Sequence, residues 1–298
     1  MLKNFLPVDT NTNTLELIFT YPLFFEFVKI LLEESGYQST IGLEVHVQLN
    51  TESKLFAGDS NAGTDDPNTH ISAITMGHPG TLPMLNEAVL EKAIMMGLAC
   101  ECEITQKNHF ARKNYFYPDL PKGYQITQDK TPICMGGRVA LFAEGLSKKF
   151  AKLHHIHLEE DAGKSIHDEG DDTLIDLNRA GTPLIEIVTE PEMEEAGEAA
   201  ALLQEIRRVV RYLDISGGNM ENGELRCDAN ISIKPRGSKE LGNKVEIKNM
   251  NSIGNVRKAI DFEIRRQLQM VKDQEETLVE TRTFDASNGH TYGMRFKE

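Results

Sequence analysis

Tryptophan is absent from the 298 residues, and only four cysteines occur. Cys100, Cys102, Cys134 and Cys227 form no Cys-x-x-Cys, alone or paired, so neither a zinc ribbon nor a disulfide framework is indicated. A reducing cytoplasm suits thiols used this way. There is no Walker loop and no Gly-x-Gly-x-x-Gly, which excludes the common Gly-rich cradles for a nucleotide. Positive charge is in short supply as well: 32 basic against 46 acidic residues give a net charge of -14. A field of that sign repels phosphate, so any nucleic acid must meet a local basic surface or bind with help from other chains. Long uncharged apolar runs are also missing. The stretch from Leu15 to Leu32 comes nearest, but it carries Glu16, Pro22, Glu26 and Lys29, which argues against a membrane span. No small-residue cleavage site follows it and Lys3 is the one early basic residue, so a signal peptide fits poorly. The expectation is an amphipathic extension or a misassigned start over residues 1–37.

What is present is a globular composition, 40% apolar and 26% charged, with short alternating runs between Gly, Pro, Asn and Asp from Gln38 onward. Helices are predicted over Asn86 to Leu98, Ala196 to Leu213 and Asn255 to Val271. The second has an apolar stripe of Leu202, Leu203, Ile206, Val209, Val210 and Leu213, and the third one of Val256, Ile260, Ile264 and Leu268. His167 to Asp172 reads as a solvated hairpin tip, and Gly77 to Gly80 and Gly217-Gly218 read as turns.

Strand alternation decides which side chains share a face. Arg226, Asp228, Asn230 and Ser232 point one way while Cys227, Ala229, Ile231 and Ile233 point the other. Glu246 and Lys248 share a face opposite Val245 and Ile247, and Glu44 lies beside His46 in Ile41 to Val47. If these strands join one sheet, Glu44, His46, Asp228 and Glu246 converge, joined by Glu159 or Glu160. Magnesium and manganese favour carboxylate oxygens with an occasional imidazole, so the set is a reasonable site for either ion. Each member alone is more often simply a solvated residue on the polar face of a strand. The loop from Asn108 to Gln125 mixes Arg112, Lys113 and Lys122 with Phe110, Tyr115, Phe116, Tyr117 and Tyr124. Such interleaving suits phosphates and unpaired bases, as at a tRNA acceptor end. The competing reading is a Pro-braced loop with its rings in the core.

Gly42-Leu43-Glu44-Val45-His46, Leu158 to Lys164 and Glu246 to Ser252, with Gly77 to Asn86, Arg112 to Gln128, Asp176 to Val188 and Asn219 to Ser232, make the chain resemble the B-subunit family of the aspartyl/glutamyl-tRNA amidotransferases. The resemblance covers about Ile41 to Glu298. It implies an α+β fold, a cradle-like antiparallel sheet with flanking helices similar to glutamine synthetase, over residues 38–298. It implies ATP-dependent phosphorylation of the side-chain carboxylate of Glu-tRNA(Gln) or Asp-tRNA(Asn), followed by displacement of the phosphate by ammonia. The ammonia comes from a glutaminase A subunit, and a small C subunit completes a heterotrimer. Glu44, His46, Glu159, Glu160, Asp228 and Glu246 are the family-like ligands for magnesium. Lys164, Arg179, Arg226 and Lys248 are inferred phosphate or carboxylate contacts. Glu160, Lys248 and Arg226 are assigned to catalysis, Lys164, Arg179, Asn230 and Asn249 to ATP, and Arg112, Lys113, Tyr115 and Lys122 to tRNA.

Three departures qualify the resemblance. Ser72 and Thr75 stand where many relatives have a Cys-x-x-Cys pair, which puts a structural zinc in doubt. The chain stops at Glu298 where relatives continue into the end of the catalytic core, a helical domain and a tail domain, so it reads as an N-terminal catalytic part. Residues 1–37 have no counterpart in the resemblance. Two rival readings share the same residues: a two-metal phosphohydrolase or nuclease, and a non-catalytic tRNA-binding fragment.

Overall fold

The structure, a computed structural model, describes residues 21–142, 149–167, 170 and 172–296. In chain order the elements are α1 (Tyr21–Ser35), β1 (Tyr37–Gln48), α2 (Glu87–Ala99), β2 (Glu103–Ile104), β3 (Ala111–Asn114) and β4 (Tyr124–Thr127). Next come β5 (Cys134–Met135), β6 (Arg138–Leu141), β7 (Lys149–Glu160), β8 (Lys164–Ile166), β9 (Leu174–Asp176) and β10 (Pro183–Thr189). The last are α3 (Ala196–Tyr212), β11 (Leu225–Pro235), β12 (Val245–Lys248), α4 (Ile253–Lys272), β13 (Glu280–Asp285) and β14 (His290–Phe296).

Twelve strands form one sheet, with the path β14-β13-β12-β11-β1-β10-β7-β4-β3, with β5 and β6 paired to β7 and β2 paired to β5. The pairs are antiparallel except β12 with β13, whose parallel pairing needs the crossover that α4 supplies. Mixed α and β structure with a large, mostly antiparallel sheet agrees with the class expected from the sequence.

The three predicted helices form within two residues of their expected ends. Each starts where a side chain satisfies free backbone N–H groups. The Asn86 side chain accepts from Ala88 N at 3.0 Å, and Ser252 Oγ accepts from Asn255 N at 3.1 Å. Glu198, in the first turn of α3, accepts from Glu194 N at 2.8 Å. Four helices occur among the described residues, and none of them is long and apolar enough to cross a membrane. The fourth, α1, falls in the unmatched extension. Its Val28 and Leu32 are buried in the main core, and Lys29 pairs with Glu195 at 2.9 Å. The rest of the apolar stretch expected there, before residue 21, lies outside the described residues.

Alternation along the central strands divides the sheet into two chemically different faces. Ile41, Leu43, Val45 and Val47 of β1, Ile185 and Ile187 of β10, Ile156 and Leu158 of β7, and Cys227, Ala229 and Ile231 of β11 lie on one side. They form one core with Leu202, Ile206 and Val210 of α3 and Val256, Ile260 and Ile264 of α4. Burial of each large aliphatic side chain there stabilises the fold by about 1.5–3 kcal/mol. The opposite side carries the polar residues. β8 and β9 form a separate antiparallel hairpin, as the acidic tip implied, although residues 168, 169 and 171 of that tip lie outside the described residues.

Candidate functional site

Register brings residues from distant parts of the chain into rows across the polar face. One row runs Arg226, His46, Glu186, His157 over β11, β1, β10 and β7. In the next row Asp228 stands opposite Glu44, and in the row after it Asn230 stands opposite Glu246 on β12. Two groups of metal-ligating atoms result, His46 with Glu159 and Glu186, and Glu44 with Asp228 and Glu246, the atoms in each lying within 4.8 Å of one another.

In the first group, His46 Nε2 is 3.3 Å from Glu159 Oε1 and 3.4 Å from Glu186 Oε2. His157 Nε2 closes the group at 3.2 Å from Glu186 Oε2. Burial alone would depress both imidazolium groups, but the two carboxylates outweigh it and raise His46 to about 10 and His157 to about 9. The same contacts overcome the effect of burial on Glu159 and lower it to about 2, and Glu186 is lowered too. Protons here hold together two carboxylates that would otherwise repel.

In the second group the countercharge comes from Lys248, whose ammonium bonds Asp228 Oδ2 and lies 3.4 Å from Glu246 Oε1. Asn230 Nδ2 donates to Glu44 Oε1 at 2.9 Å, and Thr281 Oγ1 to Glu246 Oε2 at 2.9 Å. Asn230 Oδ1 is buried with no hydrogen-bond partner, so one more oxygen acceptor is on hand. Carboxylate and amide oxygens in one group, and carboxylates with imidazole in the other, fit magnesium or manganese and suit neither copper(I) nor a thiolate-bound ion.

A third cluster forms around Asp161. Its Oδ2 accepts from Arg226 Nη2 at 2.9 Å and Gln48 Nε2 at 3.1 Å, with Arg179 Nε at 3.6 Å. Arg179 also donates to the carbonyls of Ala162 at 3.0 Å and Gly163 at 2.6 Å. Gly163 is required here, because a Cβ would lie 2.8 Å from Asp119 O and 2.9 Å from Asp176 O. Arg179 and Lys164 line an open recess with Asn50, Asp176, Asn178 and Glu224.

Several residues chosen from the sequence stand elsewhere. Glu159 enters the first group, but its neighbour Glu160 does not, because adjacent strand residues face opposite sides. Glu160 is 1% exposed and bonds Ile126 N at 2.8 Å and Lys122 Nζ at 2.5 Å. Burial pushes its carboxyl up against the pull of Lys122. Lys122 is therefore turned inward to meet that carboxylate rather than outward to a nucleic acid. Asn249 occupies the turn after β12, at φ 65°, and its amide donates to Phe284 O at 3.5 Å. Arg112 and Lys113 are exposed on β3, with the Arg112 guanidinium 4.3 Å above the Tyr124 ring. Tyr115 stacks on Tyr117 at 4.6 Å, and Phe116 is 81% exposed, so part of this aromatic set stands out from the core.

Glu186, His157 and Asp161 were missed in the sequence. Glu186 had a visible signal, a single carboxylate inside the apolar run Leu184-Ile185-Glu186-Ile187-Val188.

Residues 39–298 match the GatB/GatE catalytic domain family. The chain is 52% identical over 262 residues to the B subunit of the aspartyl/glutamyl-tRNA(Asn/Gln) amidotransferase of Chlorobium phaeobacteroides, covering 88% of this chain and 55% of that protein. The protein of the same name from Syntrophotalea carbinolica is 50% identical over 264 residues, covering 89% and 55%. That from Thermodesulfovibrio yellowstonii is 48% identical over 262 residues, covering 88% and 55%. The chain thus spans about half the length of the curated relatives it matches.

Proposed function

The chain belongs to the GatB/GatE catalytic domain family, and from that premise we propose that it is the phosphorylating and amidating part of a tRNA-dependent amidotransferase. Its substrates are Glu-tRNA(Gln), Asp-tRNA(Asn) or both, with ATP. A side-chain carboxylate oxygen attacks the γ-phosphorus of ATP and ADP leaves. Ammonia then attacks the acyl carbon, phosphate departs with the original carboxylate oxygen, and a proton is released. A glutaminase A subunit supplies the ammonia and a small C subunit completes the assembly. Residues 38–298 would form the catalytic cradle, of the glutamine synthetase kind, and the four unpaired cysteines accord with a cytoplasmic setting.

The observation that carries the reading is the pair of ligand groups that meet on strand β1. Glu44 and His46, two residues apart on one strand, each belong to a different group. Phosphoryl transfer needs positioning and charge neutralisation more than a protein nucleophile. Magnesium held by these residues would neutralise the charge on the transferring phosphoryl group. Asp161 orients Arg226 and Arg179, whose guanidinium groups are suited to hold phosphate oxygens bidentately. Lys164 extends that surface along the recess. Arg112, Lys113, Tyr115 and the exposed Phe116 offer phosphate contacts and a stacking surface for the acceptor end.

The test is amidation of Glu-tRNA(Gln) by this chain assembled with A and C subunits, with ATP, magnesium and ammonium chloride in place of glutamine. Glu159→Gln and Glu186→Gln should each lower product formation by roughly 100-fold or more, the loss typical of one removed electrostatic contact to the transition state. Undiminished amidation in both variants would refute the assignment of this face.

A further inference from the structure

Lys248 follows Glu246 by two residues on β12, so both side chains lie on the polar face, beside Asp228 and Asn230 of β11. Its ammonium bonds Asp228 and lies 3.4 Å from Glu246. Both belong to the Glu44, Asp228 and Glu246 group, in which three carboxylates share a space 4.8 Å across. One ammonium sets a single unit of positive charge against three carboxylates, and a divalent cation in its place would supply two. The neighbouring His46 group differs, since among the described residues no lysine or arginine is paired with it and its countercharge is carried by imidazoles that are themselves ligand types.

We propose that the Lys248 ammonium is the resident cation of this group, and that a divalent cation displaces it to the open polar face, where it meets an anionic oxygen of the substrate. The inference rests on the reading of this group as a cation site. The ammonium is held by two of the three carboxylates that the ion would use. A hard cation bonds carboxylate oxygens at about 2.0–2.6 Å, which leaves no place for a second cation bridging the same two side chains. Loading the site and freeing the lysine are then one event. Lys248 therefore becomes available for substrate only after the site is loaded.

Manganese is the probe, and the full chain is the sample. A small imidoester should label Lys248 several-fold faster with saturating Mn2+ than without, while Lys92, which bonds Asp214 O elsewhere, keeps its rate. Unchanged or slower labelling of Lys248 would overturn the exchange. In a Mn2+ titration Lys248→Met should bind about tenfold more tightly at this group, since a competing unit charge is gone. Equal or weaker binding, with Asp228→Asn losing one equivalent of Mn2+, would reject the exchange and leave the site in place. Mn2+ binding that is indifferent to Asp228→Asn would reject the cation reading of the group and the exchange with it.

Discussion

Lys122 places its ammonium 2.5 Å from both carboxylate oxygens of Glu160, in a pair whose side chains are only 9% and 1% exposed. Removing one member of a buried ion pair leaves the other uncompensated, at a cost of about 3–5 kcal/mol. Lys122→Met should therefore lower unfolding free energy by about that amount, measured by urea denaturation of the full chain. Glu160→Gln should cost less, because a neutral amide can still meet Ile126 N. A Lys122→Met variant as stable as the parent would show that the pair is not closed in solution.

Asp261 of α4 is 4% exposed and its Oδ2 has no hydrogen-bond partner. Burial pushes its carboxyl up to about 7 against the pull of Arg257 and Arg265. Its folded pKa lies above the unfolded value of about 3.9, so the native state binds more protons between those limits. Its contribution is therefore lost progressively as pH rises from about 4 and is fully lost above about 7. Asp261→Asn removes the titration, so its stability relative to the parent should improve from pH 5 to pH 8. Parallel pH profiles in thermal unfolding would contradict the assignment.

Asp59 accepts from Ser72 Oγ at 2.9 Å and also from Thr75 Oγ1. Two hydroxyls closing on one carboxylate tie this segment together without thiolates, and neutral hydroxyls are not zinc ligands. A transition-metal chelator such as phenanthroline should leave the melting temperature unchanged, while Asp59→Ala should cost about 1–3 kcal/mol through the stranded hydroxyls. A chelator-induced drop in melting temperature would show that a metal holds the segment after all.

Local periodicity carried most of what was legible in the sequence. The helical stripes and the alternation of Arg226 to Ile233 follow from one residue's relation to its neighbours, and the elements formed as that pattern required. The joining of Glu44 to Asp228 was conditional on strand pairing, which depends on register between strands some 180 residues apart. The parallel β12–β13 pairing was not legible, because it depends on where α4 returns the chain. Glu160 could have been separated from Glu159 by the same alternation used elsewhere. The inward turn of Lys122 could not, since it is dictated by a carboxylate buried 38 residues away.

On the proposed function, a side-chain carboxylate of an aminoacyl-tRNA is phosphorylated on this face before ammonia enters. The direct measurement uses Glu-tRNA(Gln) labelled with oxygen-18 in the γ-carboxylate, with ATP, magnesium and ammonium chloride, and this chain assembled with A and C subunits. Mass spectrometry of the released phosphate should find one labelled oxygen for each amide formed. Unlabelled phosphate, with ATP consumed but no amide made, would rule out carboxylate phosphorylation and point to a phosphohydrolase instead.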